Sequence, residues 1–509
     1  MLESLSTGDF LAIAFFFSIC VTLLFGYPIA FTLAGTSLLF AFIGHELGAF
    51  DYSILIGLPS RYFGSMTNEV LVAVPLFIFM GLVLERSGIA EALLTTMGQL
   101  FGKLRGGLGY SVIVVGALLA ASTGVVGATV VTMGLISLPA MMRAGYSNRL
   151  STGVICASAT LAQIIPPSTV LIFVGDLLAG VNQQAQLRRG NFSPDPVSVG
   201  DLFAGALIPG IGLVSLYLLW MIYKAIFEPE SCPAIVLTPA ERRGLPRRVA
   251  FALIPPLALI VAVLGSILGG FATPTESASI GAVGAMVLAA LNGRLSFDTV
   301  RHAALGTMMT SSLIFVIVLA ASLFSLVFRG LGGEHMVEQA LHAMPGGAFG
   351  AMLVVMFIMF VLGFFLDTFE IILIMLPICG PPLLMLGLDP IWLGVMIGEN
   401  LQTSFLTPPF GFTLFYMRGI APPSVTTGEI WIGSIPWTLL QVCGLALVWA
   451  FPGSATWLPD LVFKQEQAQI RREAAPDPDD SPFFGNEDSG LDSDPTERQS
   501  PADRPPARQ

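Results

Sequence analysis

Long stretches without a charged side chain alternate with short polar connectors along most of the chain, and the stretches have the length of bilayer spans. A helix needs about 20 apolar residues to cross roughly 30 Å of hydrocarbon. Residues 10–44 hold no Asp, Glu, Lys or Arg, and Gly26-Tyr27-Pro28 divides them into two short spans joined by a tight turn. The same pattern predicts spans at 69–85, 150–178, 202–226, 249–267, 271–292, 303–328, 391–418 and 430–451. Two runs break at their centres. Residues 106–142 are uncharged, yet their middle, ALLAASTGVVGATV, turns small and polar around Ser122-Thr123-Gly124; residues 346–387 break at Asp367-Thr368. Non-helical backbone at membrane depth must be buried in protein or line a cavity, so both runs are predicted as re-entrant helical hairpins. Amphipathic stretches at 88–104 and 333–343 precede them and read as helices lying along the interface.

The stretch CASATLAQIIPPSTVLIF (156–173) recurs as GENLQTSFLTPPFGFTLF (398–415), which pairs Pro166 with Pro408, Pro167 with Pro409 and Phe173 with Phe415 at one offset of 242. Pro139 with Pro381 and Gly145 with Gly387 keep the same offset. Two halves of one fold are present. A Pro-Pro pair removes two backbone donors and disfavours helix at the residue before it, so each of these spans must break. The carbonyls left free at mid-membrane, with nearby hydroxyls and amides, suit a hard monovalent cation.

Composition agrees with the pattern. Of 509 residues 54 % are hydrophobic and 11 % charged, against about 25 % charged in ordinary soluble domains. A soluble globule is excluded. The net charge is -11, and residues 464–509 carry 11 acidic and 6 basic side chains in a Pro, Asp, Ser and Arg mixture that cannot bury a core; this tail is predicted to be disordered. Nucleic-acid binding has no basic footprint. Gly102-Lys103 is followed by Leu104 rather than Ser or Thr, so no phosphate-binding loop is present and an ATP-driven pump is disfavoured. The five cysteines form no CxxC pair, and His45, His302, His335 and His342 are not spaced as metal ligands. The first apolar run lacks the marks of a cleaved signal and reads as a retained span.

Basic residues give an orientation. Placing Lys103, Arg105, Arg143, Arg149, Lys224, Arg242, Arg243, Arg247, Arg248, Arg294, Arg301 and Arg418 in the cytoplasm is self-consistent. Hairpin one then opens to the cytoplasm, hairpin two and both termini to the outside. Arg61 and Arg329 are left on the wrong side. Oppositely facing halves imply an inverted repeat, a common construction of secondary transporters.

The ordered strings ASTGVVGA, LPAMMRAGY, IIPPS, ATPTESASIGAV, FLDTFEIILIMLPI and LTPPFGFTLF resemble the large membrane subunit of tripartite ATP-independent periplasmic (TRAP) transporters over residues 5–455. The resemblance implies an all-α polytopic inner-membrane protein of the ion-transporter superfamily. It further implies an elevator-type, sodium-coupled importer of organic acids. Such subunits work in the bilayer with a small four-helix membrane subunit and a periplasmic substrate-binding protein. The implied layout is scaffold helices and arm in 1–105, hairpin one and its broken helix in 106–180, connecting loop, scaffold and second arm in 181–345, hairpin two and its broken helix in 346–419, a last span in 420–463 and the tail in 464–509.

By analogy with the family, Ser122, Thr123, Gly124, Ser158, Thr160 and the Pro166-Pro167-Ser168 break would form a first sodium site. Asp367, Thr368, Asn400, Thr403, Thr407 and Pro408 would form a second. An aspartate at mid-depth costs several kcal/mol unless a cation or partner satisfies it; a carboxylate bonded within its hairpin, or a protonated one coupling to H⁺, is the alternative. Tip amides and helix N-termini favour anions, and Ser122, Thr123, Ser168, Thr368, Thr403 and Gly411 are the candidate contacts for a substrate carboxylate. No arginine falls at mid-depth to clamp it. Glu276 reads as a scaffold brace, and Glu370 and Glu399 as interfacial carboxylates. No organic cofactor is called for. A proton-coupled carrier working without a binding protein, a passive channel, and an enzyme built on Ser122 or Asp367 are the alternatives, the last lacking a His or Lys beside Ser122 as a base.

Overall fold

The computed structural model describes residues 6–235 and 244–464, with the side chains of Ser122, Thr123 and Lys464 outside that description. The expectations for Arg242, Arg243 and the tail from 465 onward fall outside it too. The chain is all-helical among the described residues. It opens with α1 (Thr7–Leu24), α2 (Ile29–Glu46), α3 (Leu58–Met66), α4 (Glu69–Arg86) and α5 (Ile89–Phe101). The first hairpin and broken helix are α6 (Gly107–Thr123), α7 (Val126–Arg143), α8 (Asn148–Thr160) and α9 (Thr169–Arg188). Then come α10 (Val199–Phe227), α11 (Leu245–Leu268), α12 (Pro274–Leu291), α13 (Phe297–Gly330) and α14 (Gly333–His342). The second hairpin and broken helix are α15 (Gly347–Leu362), α16 (Thr368–Met385), α17 (Pro390–Leu406) and α18 (Phe412–Ile420), followed by α19 (Thr427–Ala450) and α20 (Gly453–Pro459). Nine of the described helices are long and apolar enough to span a bilayer.

The repeat shows in the boundaries of the central helices. α7 and α16 begin and end 242 residues apart, and so do the starts of α8 and α17. Gly145 and Gly387, which reverse the chain before α8 and α17, both take positive φ, at 83° and 97°. A side chain there would be strained. Helix starts carry their own signals: Ser198 with Asp201, Thr273 with Glu276 and Thr426 with Glu429 form capping boxes. The arms predicted at 88–104 and 333–343 are α5 and α14.

Hydrogen bonds at the hairpin bases fix their directions. At the base of hairpin one, Gly106 N–H donates to Cys232 C=O at 2.9 Å and Ser147 N–H to Ser231 C=O at 3.0 Å, just beyond the C-terminal end of α10. The N-terminal end of α10 packs Leu202 and Gly205 against Gly394 and Ile391, immediately after hairpin two. α10 has 29 residues, about 43 Å at 1.5 Å per residue. The two hairpins therefore open toward opposite ends of one long helix. α19 runs the other way, from Asn148 Nδ2 donating to Glu429 Oε1 at 3.2 Å to Trp392 Nε1 donating to Val448 C=O at 3.0 Å.

The first halves of the broken helices form the buried axis. Every residue of α8 from Leu150, and of α17 from Trp392, is buried. Outer helices instead present Phe10, Phe17, Phe31, Phe251 and Leu313, as lipid-facing surfaces do. One element escaped the pattern: a 3₁₀ turn over Tyr52–Gly57 and α3 precede α4 and bend 49° from it. Arg61 and Asn68 interrupt hydropathy there, so the sequence shows only α4 as a span.

Candidate functional site

The two repeat-related pairs, Pro166-Pro167 and Pro408-Pro409, interrupt helix, whereas Pro255-Pro256 and Pro381-Pro382 lie within α11 and α16. α8 ends at Thr160, a 3₁₀ turn covers Leu161–Gln163, and α9 starts at Thr169. α17 ends at Leu406 and α18 starts at Phe412. The Pro166-Pro167 and Pro408-Pro409 bonds are both cis. At the first break Ile164, Pro166, Pro167 and Ser168 are buried, and no donor reaches the carbonyls of Ile165, Pro166 or Pro167 among the described residues. A buried carbonyl without a donor costs free energy comparable to a lost hydrogen bond. At the second break Pro409 and Phe410 are exposed.

The helix ends are tied across each break at equivalent places. Ser168 Oγ donates to the carbonyl of Gln163 at 3.0 Å, and Thr413 Oγ1 to the carbonyl of Phe405 at 2.7 Å. Residues 163 and 405 are 242 apart, so one carbonyl position is capped in both halves, by different hydroxyls. Gly411 holds its place because a Cβ there would run into the Phe405 carbonyl.

Tip one is Gly124-Val125, with Gly124 at φ 59°. Thr169 Oγ1 donates to the Gly124 carbonyl at 2.7 Å, which fastens the tip to the start of α9. Gly127 lies against the Tyr416 ring and Gly134 against Ile420, so the hairpin also rests on α18. Ser158 is fully buried beneath Gly116 of α6, and its hydroxyl has no partner among the described residues. Ser122 and Thr123 reach the same tip in the backbone; their side chains lie outside the described residues.

Tip two runs from Gly363 to Asp367, the N-cap of α16. Glu370 Oε2 reaches back to accept the Asp367 N–H at 2.8 Å. Thr368 is buried, and its Oγ1 accepts from Gln163 Nε2 at 3.0 Å. Phe369 meets Phe173 edge-on at 5.3 Å, and Phe365 lies 5.6 Å from Phe410. The second hairpin thus touches both breaks. Asn400 Nδ2 donates to the Met356 carbonyl at 2.9 Å, Thr403 Oγ1 to the Glu399 carbonyl at 2.9 Å and Thr407 Oγ1 to the Thr403 carbonyl at 2.7 Å. The two threonine hydroxyls keep only their lone pairs for a ligand, and Asn400 keeps its Oδ1 and one N–H.

Thr160 faces elsewhere. Its hydroxyl accepts from Gln402 Nε2 at 3.3 Å and from Gln441 Nε2 at 2.9 Å, inside a cluster with Tyr217. Glu399 is 1 % exposed, packed against Gly444, with Oε2 unpartnered. Glu276 is spent on capping α12, where it accepts from Thr273. Gln163 and Thr169 tie tips to breaks and Thr413 closes the second break, and sequence reasoning passed over all three. Their signal was a polar side chain within five residues of a Pro-Pro pair.

The sequence model described as "Tripartite ATP-independent periplasmic transporter, DctM component" matches residues 16–454. The C4-dicarboxylate TRAP transporter large permease protein DctM of Rhodobacter capsulatus is 29 % identical over 89 % of this chain and 99 % of its own. The ectoine TRAP transporter large permease protein TeaC of Halomonas elongata is 27 % identical over 87 % and 97 %. The isethionate TRAP transporter permease protein DctMQ of Oleidesulfovibrio alaskensis is 29 % identical over 78 % of this chain and 60 % of that one. Among solved structures, the Alcanivorax borkumensis YdaH transporter superposes with a TM-score of 0.56 at 16 % identity, covering 80 % of this chain and 89 % of that one, a likeness of fold.

Proposed function

Because the chain belongs to the DctM-component family of tripartite ATP-independent periplasmic transporters, we propose that it carries a small organic acid inward, coupled to Na⁺ and supplied by a periplasmic binding protein. It is a multi-pass inner-membrane protein and the large permease subunit of a transporter, not an enzyme. The proposed partners are a small four-helix membrane subunit and the binding protein. The relatives named for C4-dicarboxylates, ectoine and isethionate carry acidic or zwitterionic cargo, which supports the substrate class without choosing a member.

The observation that carries the ion coupling is the first break. Carbonyls at Ile165, Pro166 and Pro167 that no donor reaches, and the buried Ser158 hydroxyl at the end of α8 that has no partner among the described residues, supply hard oxygens. Gly124 at tip one is fastened to the same break. The second ion position is proposed at Asp367, Thr368 and the Thr407-Pro408 break. The hairpins and broken helices are proposed to move together against the remaining helices, and the substrate carboxylate to sit between the tips.

The test is uptake by proteoliposomes containing this chain, its small subunit and the cognate binding protein. Radiolabelled succinate, ectoine and isethionate serve as probes. Accumulation is expected only with Na⁺ outside. Accumulation in Na⁺-free buffer under an inward proton gradient would replace the ion assignment by proton coupling.

A further inference from the structure

A cavity of about 380 Å³ lies between α3, α4 and α13 on one side and α9 and α16 on the other. Helix order ranks its lining by depth. Leu71, Phe173 and Val318 line the inner part, Asn68 and Asp176 come next, and Arg61 and Arg329 stand at the end toward which hairpin two opens. That end is fixed by Arg188, which pairs with Glu334 at 2.7 Å, and by Arg189, which donates to the Met385 carbonyl at the hairpin base at 2.6 Å. Arg61 and Arg329, which the orientation rule leaves on the outer face, are joined there by Arg188 and Arg189.

Their pairing is unequal. Arg329 Nε meets Glu334 Oε2 at 2.5 Å, whereas Arg61 makes no hydrogen bond or ion pair among the described residues. The acid on the cavity wall, Asp176, has its Oδ1 held by Asn68 Nδ2 at 2.8 Å. Glu334, the carboxylate that acts on Arg61 from a distance, is already bonded to Arg188 and Arg329, so the half-buried Arg61 guanidinium beside Arg329 keeps its hydrogen-bond donors for an arriving anion. The planar fork of arginine matches a carboxylate with two parallel hydrogen bonds. The volume falls within the range of small-molecule sites, about 300–1,000 Å³. Below the cations, the Phe173 and Leu71 side chains offer an apolar wall for a short carbon skeleton.

We propose that this cavity is an outer binding site for a small organic carboxylate, held by Arg61 and Arg329 before it reaches the hairpin tips. The inference rests on the organic-acid reading above for its physiological ligand, but its test does not need transport. The full-length chain with Ser325→Cys, a residue lining the cavity, is placed in nanodiscs of phosphatidylcholine alone. Cysteine modification is timed with an anionic sulfonate-bearing and a cationic trimethylammonium-bearing methanethiosulfonate, after subtracting labelling of the parent chain.

The anionic reagent is expected to react faster by ~10-fold, relative to a free thiol, because the two arginines at the mouth draw anions toward the cavity. Arg61→Gln should lower that ratio at least ~3-fold and Arg61→Lys should largely keep it. Millimolar succinate should slow modification, and neutral succinamide should not. Phosphatidylcholine carries no net charge, so protection by added succinate reports a soluble carboxylate rather than a lipid headgroup. A ratio unchanged by Arg61→Gln, or no protection by succinate, overturns the proposal. Ser65→Cys, on α3, repeats the measurement if Ser325→Cys does not fold. Failed Na⁺-driven uptake with protection intact would sink the sodium-coupled organic-acid reading and leave this site standing; intact uptake without protection would do the reverse.

Discussion

Asp367 stands at the N-cap of α16, where a carboxylate is favoured whatever the protein does, because the first amides of a helix lack acceptors. A cap and an ion ligand make different demands. Asn caps as well as Asp, whereas only Asp brings a charge to a cation. Asp367→Asn is therefore expected to keep thermal stability near that of the parent, while Asp367→Ala loses about 1 kcal/mol. Both should abolish Na⁺-driven uptake. Full uptake by Asp367→Asn would reduce the residue to a cap. At the other tip, Thr169→Val keeps the shape but removes the 2.7 Å bond to the Gly124 carbonyl. The bond is worth about 1 kcal/mol. If it orders tip one around the ion, the Na⁺ concentration for half-maximal uptake should rise by roughly five-fold; an unchanged value with reduced stability would make the bond purely structural.

At the scale of elements, the breaks are legible because their proline pairs recur at the 242-residue offset; a proline pair alone is not enough, since Pro255-Pro256 and Pro381-Pro382 lie inside the continuous helices α11 and α16. Replacing Pro166 and Pro167 together by Ala restores both amides. The expected outcome is a chain that still inserts and folds, with the α8–α9 link drawn toward helix and Na⁺ affinity lost, read by Na⁺-induced thermal stabilisation in detergent. Undiminished stabilisation by Na⁺ would place the ion elsewhere. The hairpins, breaks, arms and 242-residue offset were legible because each is a local signal: a polar interruption, a proline pair, a recurring string. The pairing of Gln163 with Thr368 was not, since it joins residues 205 apart in different halves, and no local pattern records which tip meets which break. Thr160 was misjudged in direction for the same reason. Its spacing put it near the break, but one turn of helix decides whether a hydroxyl faces tip one or Gln441. α3 went unseen because Arg61, now lining a cavity, breaks the hydropathy that would have marked it.

For the whole molecule, the decisive contact joins the two sets of elements that an elevator motion must separate. α9 continues the first broken helix and packs along α16 of hairpin two, whereas α4 packs along α12, with Thr275 Oγ1 donating to the Glu69 carbonyl at 2.7 Å. The Asn68 to Asp176 hydrogen bond, 2.8 Å long, crosses from α4 to α9. If the hairpin set slides while α4 stays, that bond must break in every cycle; if the protein works by local gating at the tips, it persists. Cysteines at 68 and 176 distinguish these outcomes. Oxidation should join them and cut Na⁺-driven uptake at least ~10-fold, a barrier increase of about 1.4 kcal/mol or more, and a reductant should restore it. The Asn68→Cys and Asp176→Cys single variants, treated alike, should lose nothing on oxidation. Cross-linked protein that transports at the reduced rate would show that α4 and α9 travel together, and the boundary between moving and fixed helices would then have to lie elsewhere.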